Sequence, residues 1–130
     1  MKILIVDDSA TLRRVLHMGI KHSLKGTEFE ILEAVNGKEG LDIAKKNTDI
    51  DYIFLDVNMP VMKGDEMLEI LRDTPEIKHI KVIMQTTEGV REKVRSLTAM
   101  GISGYLLKPY TQEIILQLMD KLLELETAVA

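Results

Sequence analysis

A chain of 130 residues with 45% hydrophobic content is the size of one ordinary domain, with no room for a second. It contains no cysteine, which excludes a disulfide framework, a cysteine metal site and a cysteine nucleophile, and points to a reducing compartment. The net charge of -4, with acids and bases interspersed, gives no basic footprint for nucleic acid. No stretch approaches the roughly 20 apolar residues of a membrane span, and the start of the chain lacks a secretory h-region, so a cytoplasmic protein is expected.

The first apolar run, Ile3 to Val6, predicts a strand that ends at Asp7 and Asp8. Asp8 or Ser9 can cap a helix whose Leu12, Leu16, Ile20 and Leu24 recur at four-residue spacing beside Val15. Glu30 to Ala34, around Ile31 and Leu32, is short and partly polar, as an edge strand would be. A turn at Asn36-Gly37 leads into a helix carrying Leu41, Ile43 and Ala44. Tyr52 to Leu55 predicts a third strand, ending at Asp56. A loop with Pro60 and Gly64 follows, then a helix through Met67, Leu68, Ile70 and Leu71 that stops before Pro75. Val82 to Met84 ends in Gln85-Thr86, and a fourth helix spans about Val90 to Met100. Gly101 is its expected left-handed cap, with Ile102 making the accompanying apolar contact. Tyr105 to Leu107 ends at Lys108. The last helix pairs Ile114-Ile115, Leu118-Met119 and Leu122-Leu123 into a two-wide stripe that a sheet face would cover, and the tail from about 125 is expected to fray.

Segments of helical length separate the strands, so the sheet should be parallel. Five strands alternating with five helices predict a doubly wound, flavodoxin-like α/β domain in the order 2-1-3-4-5, spanning 1–130. In that order the first and third strands meet at the switch point, outside whose carboxyl ends ligands bind. Asp7, Asp8, Asp56, Thr86 and Lys108 then converge on one edge. Carboxylates about 4 Å apart repel by ~1 kcal/mol in water and ~4 kcal/mol at an effective dielectric of 20. Three of them call for a cation, and an all-oxygen set suits Mg2+. Any one aspartate after a strand can simply cap the next helix. Asp7 and Asp8 side by side, with Asp56 opposite, argue for a joint task. Thr86 alone can be a strand residue with a locally satisfied hydroxyl, Lys108 an ordinary exposed lysine and Tyr105 half-exposed filler. Lys108 precedes Pro109, a bond that admits a cis form. His17, His22 and His79 show no pairing and are read as surface residues; the eight methionines are scattered, as core filler would be.

Val6-Asp7-Asp8-Ser9, Leu55 to Pro60 with Gly64 following, Thr86-Thr87-Glu88, and Tyr105 to Tyr110 occur together in this order and spacing. With them the whole chain resembles the receiver domain of two-component response regulators, similar to the single-domain chemotaxis type. The resemblance implies that Asp56 accepts a phosphoryl group from a histidine kinase. It implies that Asp7, Asp8, Asp56 and the Asn58 backbone carbonyl hold Mg2+, and that Lys108 pairs with the phosphoryl oxygens. Thr86 would swing to bond one of those oxygens, Tyr105 would follow inward, and the face of the fourth helix, fifth strand and fifth helix would change shape to control a partner protein. Asn58 and Glu88 would tune hydrolysis, giving a lifetime of seconds to minutes. A monomer is expected, with dimerisation on phosphorylation left open. Gln85 stands where an apolar residue is expected and is read as facing a helix end or solvent. Thr87 stands where a small residue is common and adds bulk beside the pocket, and Lys63 replaces a small polar or acidic residue.

Two other functions use similar parts. A phosphorelay intermediate, passing the group to another histidine, would share the same site. A Mg2+-dependent phosphatase with an aspartate nucleophile would need a general acid two residues later, where this chain has Asn58. A dinucleotide-binding module is weaker, because Val6 to Ala10 lacks a glycine-rich turn.

Overall fold

The computed structural model describes residues 1–87 and 91–129. Strands β1 (Lys2–Val6), β2 (Glu30–Ala34), β3 (Tyr52–Asp56), β4 (Lys81–Thr86) and β5 (Gly104–Leu107) alternate with helices α1 (Ala10–Ser23), α2 (Gly37–Lys46), α3 (Gly64–Arg72), α4 (Arg91–Ala99) and α5 (Gln112–Val129). All strand pairs are parallel, in the expected order β2-β1-β3-β4-β5.

The central strands read as unbroken apolar runs because both of their faces are covered. Alternate residues divide between two cores. Leu4, Val6, Ile53, Leu55, Val82 and Met84 pack with residues of α2, α3 and α4, including Leu41, Ala44, Met67, Leu68, Leu71 and Leu97. Ile3, Ile5, Phe54, Ile83 and Leu106 pack with Leu16 and Ile20 of α1 and Ile115, Met119 and Leu122 of α5. The α1 and α5 backbones approach closely at Gly19, where a Cβ would lie 2.8 Å from Ile115 Cγ2.

Helix boundaries follow local chemistry. Ser9, not Asp8, caps α1, its hydroxyl accepting from the Leu12 N–H at 3.2 Å. The expected turn at Asn36-Gly37 is a helix cap instead: Asn36 is extended, and its side-chain oxygen accepts from the Glu39 N–H at 2.8 Å. α3 ends at Arg72, ahead of Pro75, and Gly101 closes α4 with a φ of +84. Ile102 packs on the core as expected, whereas Val90, the expected start of α4, lies outside the described residues.

One apolar expectation is corrected. The α5 stripe is only partly covered: Ile115, Met119 and Leu122 are buried, but Ile114 is 43% exposed. The neighbouring edge strand β5 is only four residues long and leaves Tyr105 and Leu107 exposed as well. Beyond Glu124 the chain stays helical through Val129, and the Tyr52 hydroxyl donates to Glu126 Oε1 at 2.7 Å.

At the amino ends of the strands, Arg72 joins three segments. Its Nη2 and Nε donate to the Gly101 carbonyl at 2.6 and 3.2 Å, and its Nη1 donates to the carbonyls of Ile80 at 2.8 Å and Lys78 at 3.0 Å. No helix among the described residues is long and apolar enough to cross a membrane.

Candidate functional site

The carboxyl ends of β1 and β3 carry the acidic residues. Asp7 is fully buried; its N–H donates to the Ala34 carbonyl at 3.1 Å, extending the sheet by one bond. Its Oδ1 accepts from the Ser9 N–H at 2.9 Å, and its carbonyl accepts from Arg13 Nη1 at 2.7 Å. Arg13 is held in turn by Glu33 at 3.0 Å. Asp8, one residue on, is exposed. Asp56 closes β3 and is 3% exposed. The loop after it folds back, and the Gly64 N–H donates to the Val57 carbonyl at 2.9 Å.

Carboxylate oxygens of Asp7, Asp8 and Asp56 all lie within 4.8 Å of one another. Lys108, at the end of β5, reaches across with its Nζ 3.0 Å from Asp56 Oδ1 and 3.4 Å from Asp7 Oδ2. Burial pushes the Asp56 carboxyl above its ordinary value. The Lys108 hydrogen bond opposes that shift, the Asp7 charge adds to it, and a backbone hydrogen bond from Asn58 opposes it again. Among the described residues, three carboxylates face one ammonium, leaving two negative charges. A hard divalent cation with oxygen ligands neutralises that excess, so the residues present fit Mg2+.

The other expected site residues take definite places. Thr86 is fully buried at the end of β4, and its carbonyl accepts the Lys108 N–H at 2.8 Å. Tyr105 is 45% exposed. Asn58 is exposed beside the pocket, as is Thr87, while Glu88 lies outside the described residues. Lys63 is exposed and occupies the N-cap of α3 without a side-chain hydrogen bond to it. His22 and His79 are exposed; His17 is partly covered, 3.8 Å from Glu33. The Lys108-Pro109 bond is cis. Gln85 is not at the solvent: it is fully buried beneath the pocket and accepts a hydrogen bond at 2.6 Å from the hydroxyl of Tyr110, in the loop between β5 and α5. Arg13 and Tyr110 were not singled out for these contacts by sequence reasoning. Their partners are 6 and 25 residues away, and only the assembled sheet brings them together.

Residues 3–120 match the family model described as the response regulator receiver domain. The chain belongs to the response regulator receiver family. Among curated receiver relatives it is 38% identical to chemotaxis protein CheY-3 of Vibrio cholerae, over 95% of this chain and 92% of that protein. It is 35% identical to the chemotaxis protein CheY homolog of Campylobacter jejuni, over the same shares of each. Among solved structures, chemotaxis response regulator CheY4 of V. cholerae superposes with a TM-score of 0.79 at 36% identity, covering 92% of this chain and 96% of that one. The CheY of a CheX-CheY-BeF3-Mg complex from Borrelia burgdorferi gives a TM-score of 0.83 at 26% identity, covering 95% and 89%. This receiver domain is therefore a CheY-like signalling module, and its acidic pocket is the kind at which receiver domains bind Mg2+.

Proposed function

We propose that this receiver domain is a phosphorylation switch, with Asp56 as the phosphoryl acceptor and a histidine kinase as the donor. The observation that carries the reading is the convergence of Asp7, Asp8 and Asp56 within 4.8 Å with Lys108 bridging two of them. An Asp56 oxygen attacks the phosphorus of a phosphohistidine. The P–O bond forms as the P–N bond breaks, and the electron pair leaves with the imidazole nitrogen. Lys108 contacts Asp56 at 3.0 Å and would pair with a phosphoryl oxygen there. Asp7, Asp8, Asp56 and the Asn58 carbonyl would hold Mg2+, which when bound neutralises charge on the transferring oxygens.

The phosphoryl group then acts as a ligand that shifts a two-state equilibrium through contacts it makes better in one state. Thr86, buried next to the pocket, would turn its hydroxyl toward the new oxygens, and Tyr105 would follow inward from its exposed position. Tyr105 and Leu107 of β5 and Ile114 of α5 are exposed apolar residues that would suit a downstream protein, and a relative has been solved in complex with CheX. Chemotaxis is the pathway that the curated relatives suggest. Asn58 and Glu88 would set the rate at which the phosphoryl group is lost, giving a lifetime of seconds to minutes.

Intact mass after incubation with acetyl phosphate tests the acceptor. A gain of one phosphoryl group that needs Mg2+ and is absent from Asp56→Asn supports the reading. No gain in the unmodified chain, or an equal gain in the variant, overturns it.

A further inference from the structure

Gln85 presents a problem of chemistry within an otherwise ordinary β4. It is the register partner of Asp56 on one side and of Leu106 on the other, so its side chain stands on the same sheet face as these two. That face is apolar: Phe54, Ile83, Leu106 and Ile115 form the core there, with Tyr110 packed against it. Gln85 has no exposed surface. The 2.6 Å separation from the Tyr110 hydroxyl is short even for an O–H···O contact, which assigns the amide oxygen as acceptor. Its Nε2 is then left buried with no hydrogen-bond partner among the described residues. A residue needed only to fill this space would be apolar, because an unmatched buried donor lowers stability.

The bond to Tyr110 has a geometric consequence for the pocket. Two successive residues of β4 grip the loop between β5 and α5: the Thr86 carbonyl takes the Lys108 N–H at 2.8 Å, and the Gln85 amide takes the Tyr110 hydroxyl. Lys108 and Tyr110 flank Pro109, so the segment that carries the lysine is pinned on both sides. The ammonium of Lys108 then meets Asp56 at 3.0 Å. Burial pushes the Tyr110 phenol up, and the charges of Asp7 and Asp56 add to that shift.

We propose that Gln85 and Tyr110 are a positioning pair for phosphoryl transfer, holding the β5–α5 loop so that Lys108 keeps its reach to Asp56. Neither residue contacts the transferring group; both act through Lys108. The proposal rests on the reading of Asp56 as phosphoryl acceptor.

The test compares the unmodified chain with Tyr110→Phe, Gln85→Leu and the double variant, measuring the Mg2+-dependent phosphorylation rate across acetyl phosphate concentrations together with the thermal midpoint. Each single change is expected to lower the rate at saturating donor by about tenfold, as small misplacements of a charge-stabilising group do, with the half-saturating donor concentration unchanged. The double variant has no orphaned amide, so its midpoint should equal or exceed that of the unmodified chain while its rate stays as low as either single variant. Recovery of the full rate in the double variant would show that the pair only fills space and would overturn the proposal. In a Lys108→Ala background, adding Tyr110→Phe should leave the residual rate unchanged. A further tenfold loss there would overturn the route through Lys108. Absence of any Asp56-dependent mass gain in the unmodified chain would remove the acceptor reading itself, and the pair's role with it; that arm separates the two failures.

Discussion

Gly64 lies against the backbone carbonyl of Asp56, so close that a Cβ at this position would overlap the carbonyl oxygen and carbon. The neighbour is backbone and cannot step aside as a flexible side chain would. Gly64→Ala must therefore displace either the β3–α3 loop or Asp56 itself. A loss of about 3 kcal/mol is expected, at the upper end for overpacking, and urea denaturation would read it. A variant as stable as the parent would mean that the loop has room the geometry does not show.

Asp56→Asn should stabilise the metal-free domain near neutral pH by about 1 kcal/mol, because it removes carboxylate repulsion at the pocket. The sign follows from the raised carboxyl of Asp56. A folded state that binds this proton more tightly than the unfolded chain is favoured below the unfolded value, and loses that advantage as pH rises through the folded one. The gain from the amide should accordingly shrink as the solution is acidified. Melting midpoints of both proteins across the acid range would check it, and added Mg2+ should stabilise the parent more than the variant.

Val61, in the loop between β3 and α3, has a φ of +69 and is 76% exposed. A β-branched residue in the left-handed region is strained, and this one recovers little through burial. Val61→Asn should raise stability by about 1 kcal/mol, and Val61→Gly should give a smaller gain, since glycine also loosens the unfolded chain. Thermal midpoints would show whether the order holds.

Tyr52 and Tyr110 both have phenols pushed well above the ordinary value, chiefly by burial. The Glu126 carboxylate adds to the effect at Tyr52, and Asp7 and Asp56 add to it at Tyr110. A phenol raised by folding stabilises the fold below its unfolded value, and that contribution is lost as pH climbs through the folded one. These two residues should stay protonated in alkali until the domain unfolds, and ultraviolet difference spectra should show them ionising together with the loss of helix. Ionisation well before unfolding would contradict the packing around them.

Much of this arrangement could be read in the chain. Each strand announces itself as an apolar run, and in a parallel sheet the residues after those runs must share an edge, which is why Asp7, Asp8, Asp56, Thr86 and Lys108 could be placed together in advance. Contacts made across the sheet by side chains were not legible in the same way. Gln85 could be seen as unusual but not as buried, because its environment depends on the phenol brought to it from Tyr110. Arg13 drew no notice in the sequence, because its bond to the Asp7 carbonyl exists only once α1 is folded beside the end of β1. Ile114 fitted an apolar stripe whose outer edge the short strand β5 leaves uncovered.

The guanidinium of Arg72 ties together three segments at the end of the sheet away from the carboxylates. By holding the carbonyls of Lys78, Ile80 and Gly101 at once, it fastens the base of β4 and the exit of α4 to α3. Truncating this one side chain would strip a donor from three carbonyls at once, so its loss would be felt in α3, β4 and the exit of α4 together.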